Sequence, residues 1–168
     1  MGFFKIKKDE KVISTLKPEK RFYNSGKQVT TEAAIHSSLF GDLYIAIGDI
    51  HGDLLGMTVA LSYIDQVSEE SGKKPIIIYL GDFFDRGEYG HWVLMKLFSQ
   101  ILSDNRSRIG VIAGNHDEGL EYSKERGFYS AVEPCEFADW LNEQSEDSVW
   151  PRLGRATIEF FKRMPRAI

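Results

Sequence analysis

The sequence predicts an α/β fold in which parallel strands are joined by crossover helices. Three observations lead there. Continuous apolar runs at Leu43-Tyr44-Ile45-Ala46-Ile47, Ile76-Ile77-Ile78-Tyr79-Leu80 and Ile109-Gly110-Val111-Ile112-Ala113 suit strands buried on both faces. The stretches between them place apolar residues at spacings of three and four, the mark of a one-sided helix. Each run ends in Gly followed by Asp or Asn, and these endings begin at Gly48, Gly81 and Gly114, 33 residues apart each time. That interval is about the length of one strand-helix-strand step.

Taken in order, the first ~40 residues mix Lys, Glu, Ser and Thr around isolated apolar residues, with turn signals at Lys17-Pro18-Glu19-Lys20 and Asn24-Ser25-Gly26. Residues 1–41 are therefore expected to form an irregular or hairpin-like lead-in. Leu54, Met57, Leu61 and Ile64 form the stripe of a first helix that starts near Asp53 and ends at Ser71-Gly72. Leu94, Leu97, Phe98, Ile101 and Leu102 do the same for a second, from about Tyr89 to Ser103. The order strand, helix, strand, helix, strand gives parallel neighbours, so all three polar endings fall at carboxyl ends of strands. After Asp117 a short helix is expected around Phe137, Trp140 and Leu141, and another around Ile158, Phe160 and Phe161 before Pro165. No further strand is predicted.

A chain of 168 residues is expected to form one domain with a real core. Its net charge of −4 gives no electrostatic reason to expect nucleic acid. No apolar stretch approaches the ~18 residues of a membrane span, and Met1 to Lys11 is charged and lacks a signal-peptide apolar region. The expected location is cytoplasmic, without a membrane partner. Cys135 is the single cysteine, which excludes an internal disulfide and any multi-cysteine zinc site and leaves a small buried or half-buried filler.

The carboxyl edge of a parallel sheet is where open α/β folds gather ligands. There Asp49, His51, Asp82, Asn115 and His116 would offer carboxylate oxygen, imidazole nitrogen and amide oxygen, a mixture suited to Zn, Mn or Fe rather than Ca or Mg alone. Asp49 and His51 are two apart, so an extended strand end would turn both to one side. One Gly-Asp after a strand is a turn, and one Gly-Asn-His a capped loop. Three such endings at consecutive strands are not explained that way.

The blocks Gly48-Asp49-Ile50-His51-Gly52, Gly81-Asp82-Phe83-Phe84-Asp85-Arg86-Gly87 and Gly114-Asn115-His116-Asp117 resemble the three signature blocks of calcineurin-like metallophosphoesterases. Asp85-Arg86-Gly87 is similar to the branch of PPP-type serine/threonine protein phosphatases. The resemblance implies that residues 42–168 form the N-terminal half of the metallophosphatase α/β sandwich, with the C-terminal half missing. It implies two divalent or trivalent metal ions, with manganese, iron or zinc as candidates. Asp49 and His51 would hold the first, Asp82 would bridge both and Asn115 would hold the second. His116 would donate a proton, Asp85 would orient His116, and Arg86 with Asn115 would bind phosphate. Two cations about 3.5 to 4 Å apart acidify a shared water and neutralise charge in an in-line displacement at phosphorus. Arg86 offers a planar fork of donors that matches phosphate.

Two departures limit what is implied. The family commonly carries Glu after Asn-His, where this chain has Asp117, a feature also of diadenosine tetraphosphate hydrolases. The family also uses later histidines, whereas the four here are His36, His51, His91 and His116. His36 and His91 are expected at the surface or at a helix edge. The expected function is a metal-dependent phosphoric monoester hydrolase acting on phosphoprotein or small phosphate esters. The alternatives are an inactive truncated metal- or phosphate-binding module and a pyrophosphohydrolase of dinucleotides. An incomplete sheet is expected to expose apolar surface and favour self-association.

Overall fold

The computed structural model describes residues 2–6, 43–103 and 108–166. Strands β2 (Leu43–Gly48), β3 (Pro75–Tyr79) and β4 (Ile109–Val111) pair in parallel, with Ile45 opposite Ile77 and Tyr79 opposite Val111. Helices α1 (Leu54–Ser71) and α2 (Gly90–Leu102) make the two connections. Strand β1 (Gly2–Ile6) adds an antiparallel edge, with Phe4 opposite Ala46, so the sheet order is β1-β2-β3-β4. This strand falls inside the segment expected to be an irregular lead-in. The rest of that segment, residues 7–42 with His36, lies outside the described residues.

Local chemistry accounts for the helix ends. The Asp53 carboxylate accepts the Gly56 N–H at 2.7 Å and caps α1, whose buried stripe is Met57, Ala60, Ile64 and Val67. At the other end Gly72 takes a left-handed φ of 63° and its N–H reaches the Glu69 carbonyl. One hydrophobic cluster joins Leu43, Ile45 and Ile47 of β2 to Met57 and Ile64 of α1 and to Val93, Leu94 and Leu97 of α2. The two faces of the sheet are unequal. Ala46 and Ile78, on the opposite side, stay half-buried beside the buried Ile76.

Beyond β4 comes a short helix α3 (Asn115–Gly119), then a hairpin of β5 (Leu120–Ser123) and β6 (Gly127–Ser130) that sequence patterning did not predict. Each strand has four residues, and the one turn signal is Gly127, which follows Lys124-Glu125-Arg126 and takes a left-handed φ of 73°. The helices α4 (Glu136–Asn142) and α5 (Trp150–Phe161) lie where expected and bring Phe137, Leu141, Ile158 and Phe161 into the core.

An aromatic line runs out from the core. Phe84 stacks on Phe137 with ring centroids 4.6 Å apart, Phe137 on Trp140 at 5.9 Å, and Trp140 on His91 at 4.4 Å. Trp92 and Trp150 close around the same imidazole. His91 does stand in the first turn of α2, as a helix-edge residue would, but it is half-buried rather than on the surface, and that burial lowers its pKa. Cys135 is half-buried against the core, and no helix among the described residues is long and apolar enough to cross a membrane.

The Gly72 position isolates backbone strain, because nothing lies within 4 Å of where a Cβ would sit. Gly72→Ala is expected to destabilise the chain by about 1 kcal/mol despite the open space, read as a lower urea midpoint at unchanged slope.

Candidate metal and phosphate site

The loops at the carboxyl ends of β2, β3 and β4 carry an unusual backbone. Asp49, His51, Asp82, Asp85 and Arg86 all take positive φ, between 46° and 64°, and they are the non-glycine residues that do so among those described. Each costs on the order of 1 kcal/mol relative to right-handed backbone. All five were singled out in the sequence for chemistry. The expectation that Asp49 and His51 share a side through strand alternation is corrected. The strand ends at Gly48 and both residues are left-handed, so their directions are set by a turn.

Hydrogen bonds between loops hold this backbone in place. The His51 N–H donates to the Asp82 carbonyl at 2.8 Å and the Gly52 N–H to the Phe83 carbonyl at 3.0 Å. The Asp117 carboxylate accepts three N–H groups, from Asp82 at 2.7 Å, Phe83 at 3.1 Å and Gly114 at 2.8 Å. A Cβ on Gly81, whose φ is 93°, would lie 2.1 Å from the Gly114 nitrogen. Only glycine lets the two loops touch there. Asp117 is 1% exposed, and burial pushes its carboxyl up to about 6 against the opposing pull of the three N–H donors. Because that carboxylate faces backbone donors, it lends no support to a dinucleotide substrate.

Four side chains meet at the centre. His116 Nδ1 lies 2.8 Å from Asp85 Oδ2, with both residues buried, and His51 Nδ1 lies 3.1 Å from the Phe84 carbonyl. A carbonyl and a carboxylate accept, so each ring carries its hydrogen on Nδ1 and turns the Nε2 lone pair inward. Arg86, which can only donate, spans those lone pairs at 3.0 Å from His51 Nε2 and 3.3 Å from His116 Nε2. Asp85 uses its other oxygen to accept the Phe137 N–H at 2.8 Å. Burial raises the Asp85 pKa, with the Phe137 and His116 hydrogen bonds pulling it back.

The donor set is compatible with a metal only in part. His51 Nε2 and Asp82 Oδ2 stand 4.0 Å apart, inside the ~4.2 Å that two bonds to one zinc-like ion can span. The His116 N–H donates to the other Asp82 oxygen at 3.1 Å and fixes that carboxylate. Asp49 and Asn115 are exposed at the ends of their strands, and no group of three His, Cys, Asp or Glu side chains placed to hold a metal ion exists among the described residues. Arg86 and a cation would compete for the same His51 lone pair. The structure therefore brings together His51, Asp82, Asp85, Arg86 and His116, and leaves Asp49 and Asn115 at the rim.

Sequence patterning missed two partners. Asp117 entered only as a departure from a motif, although its place three residues after Gly114 is that of a turn-closing acceptor. Glu136, 50 residues beyond the Arg86 N–H that it accepts, carries no local signal, and Phe137 was legible only as an apolar residue of a short helix.

Residues 44–166 match the family described as calcineurin-like phosphoesterase. Residues 1–64 match the description CcmF C-terminal beta-sandwich, so Tyr44 to Ile64 falls within both matches. The chain is 31% identical over 131 residues to Shewanella-like protein phosphatase 1 of Plasmodium berghei, covering 74% of this chain and 32% of that protein. It is 39% identical over 83 residues to a Caenorhabditis elegans protein named among the serine/threonine-protein phosphatases, covering 49% of this chain and 21% of that one. A third likeness, 42% over 48 residues, is to the cytochrome c-type biogenesis protein CcmF of Pseudomonas aeruginosa and covers 29% of this chain and 7% of that protein. The chain spans about a third of the length of the Plasmodium relative and less of the others. No solved structure matches.

Asp117 and Asp85 both hold protons more tightly when folded, so their contribution to stability is full below the ordinary carboxylate range and is lost as pH rises; for Asp117 the window runs from 3.8 to about 6. His91, with its lowered pKa, works in the opposite direction below 6.5. The comparison with Asp117→Asn isolates one group. In metal-free buffer the parent chain should lose on the order of 3 kcal/mol more than Asp117→Asn between pH 4 and 6.5, measured by urea unfolding across that range.

Proposed function

The chain belongs to the calcineurin-like phosphoesterase family, and we propose that it carries the first three catalytic loops of a metal-dependent phosphoric monoester hydrolase acting on phosphorylated protein or small phosphate esters. The observation that carries this reading is Arg86 set between two inward-facing imidazole nitrogens, one of them on a histidine bound to a buried carboxylate. The names of the Plasmodium and Caenorhabditis relatives, both protein phosphatases, support it.

Arg86 would take two phosphoryl oxygens in its planar fork, exchanging the two imidazole lone pairs for charged acceptors. His116 keeps Nδ1 tied to Asp85, so it would pass a proton to the leaving oxygen from Nε2 after that nitrogen, whose lone pair here faces Arg86, has taken one from solvent. Asp85 fixes that ring and stabilises its charged form. His51 and Asp82, with Asp49 and Asn115 from the rim, are the residues that would hold two metal ions, manganese, iron or zinc. When bound, such ions supply Lewis-acid polarisation and a more acidic water. Asn115, the exposed first residue of α3, would also offer its amide to a phosphate oxygen.

The convergence of one imidazole and one carboxylate, rather than a full ligand group, favours a second reading in which these 168 residues alone bind metal or phosphate without turnover.

With manganese added, the chain should hydrolyse a chromogenic phosphate ester, and Asp82→Asn or His116→Ala should each lower kcat/KM at least ~100-fold. Unchanged rates in both variants would sink the assignment. Calorimetric titration with manganese separates the two readings, since binding without hydrolysis supports the module and hydrolysis excludes it.

A further inference from the structure

Asp85 and Arg86 are consecutive, neither is glycine, and both have φ of 64°. Such a pair persists only where the surroundings over-determine it. The stretch from Phe84 to Arg86 also serves the whole centre. The Phe84 carbonyl holds His51, the Asp85 carboxylate holds His116, and the Arg86 guanidinium lies between them.

What holds this stretch comes from the start of α4, outside all three sequence blocks. The Arg86 N–H donates to Glu136 Oε2 at 3.2 Å. The Phe137 N–H donates to Asp85 Oδ1 at 2.8 Å, and the Phe137 ring stacks on Phe84 at 4.6 Å and 29°. Gly90 lets α2 begin against the same two rings, since a Cβ there would lie 2.8 Å from the Phe84 Cβ. Phe84 and Phe137 are buried, so the ring contact is part of the core. Glu136 is different. It is exposed, and its side chain spends one oxygen on a backbone N–H of the residue that would meet phosphate. A carboxylate this near an anion site opposes the anion by charge. Its retention there is explained by what it does to the backbone.

We propose that Glu136 is a positioning residue for phosphate binding: by accepting the Arg86 N–H it fixes the left-handed turn that aims the Arg86 guanidinium between His51 and His116. The inference rests on the reading of Arg86 as a phosphate-binding residue, and its test keeps the two apart.

The probe is inorganic phosphate, titrated calorimetrically into the full chain and its variants. Charge alone predicts that Glu136→Ala and Glu136→Gln both bind phosphate more tightly, because each removes a negative charge. Positioning predicts a split. Glu136→Gln keeps an acceptor oxygen and should bind phosphate as well as the parent or better, whereas Glu136→Ala releases the Arg86 N–H and should raise Kd about tenfold. If Glu136→Ala fails to fold, Glu136→Met, which keeps the stem and drops the acceptor, takes its place under the same criteria.

Arg86→Ala is the reference. A parent that does not bind phosphate, or an Arg86→Ala chain that binds it equally well, overturns the phosphate reading and this inference with it. Weakened binding in Arg86→Ala beside unchanged or tighter binding in Glu136→Ala overturns the positioning role alone. Equal weakening in Glu136→Ala and Glu136→Gln also overturns it, since the acceptor would then be irrelevant.

Discussion

Asp117 sets the terms for the loop end of the sheet. Two effects compete at its carboxylate, which is almost wholly removed from water yet accepts three backbone N–H groups from two different loops. Desolvation opposes the charge and the hydrogen bonds favour it, and desolvation is the larger. What the protein gains is geometric. The N–H groups of Asp82 and Gly114 point at one acceptor, so the turns after β3 and β4 cannot drift apart. With Gly81 removing any Cβ between them, the left-handed backbone of Asp82 is held against its own preference. The Asp82 side chain, gripped at one oxygen by the His116 N–H, then has a single direction to face.

How much of this was legible in the sequence follows from the range of each interaction. The strands from Leu43, Pro75 and Ile109 and the helices from Leu54 and Gly90 came from periodicity, which the chain writes locally. The residues of the central cluster came from three polar endings at one spacing, a pattern visible without knowing their contacts. Left-handed backbone at His51 was not legible, since its N–H finds its acceptor, the Asp82 carbonyl, on a different loop. The hairpin from Leu120 to Ser130 was lost because its strands have only four residues each and its one turn signal is the isolated Gly127. Phe137 was legible as an apolar helix residue but not as a partner of Asp85, and nothing periodic or compositional marks Glu136. Their part in the site lies in what folds against them.

The first parallel strand has a double allegiance. Tyr44 to Gly48 lies within both family matches, and β1, which pairs with it, lies only within the CcmF match. The pairing of β1 with β2 is antiparallel and runs through main-chain groups, which any residue but proline provides. The polar cluster lies at the carboxyl ends of β2, β3 and β4.

All three tryptophans of the chain, Trp92, Trp140 and Trp150, stand around one imidazole. From there the ring line passes through Phe137 to Phe84, the neighbour of Asp85. Indole emission is sensitive to a stacked imidazole and to its charge, so the ultraviolet fluorescence of this protein is local rather than global. It is a lamp mounted at one end of a line of stacked rings whose other end is the neighbour of Asp85. Movement of the Phe84–Arg86 turn would reach that lamp through stacked rings, so the molecule carries its own optical reporter with no dye attached.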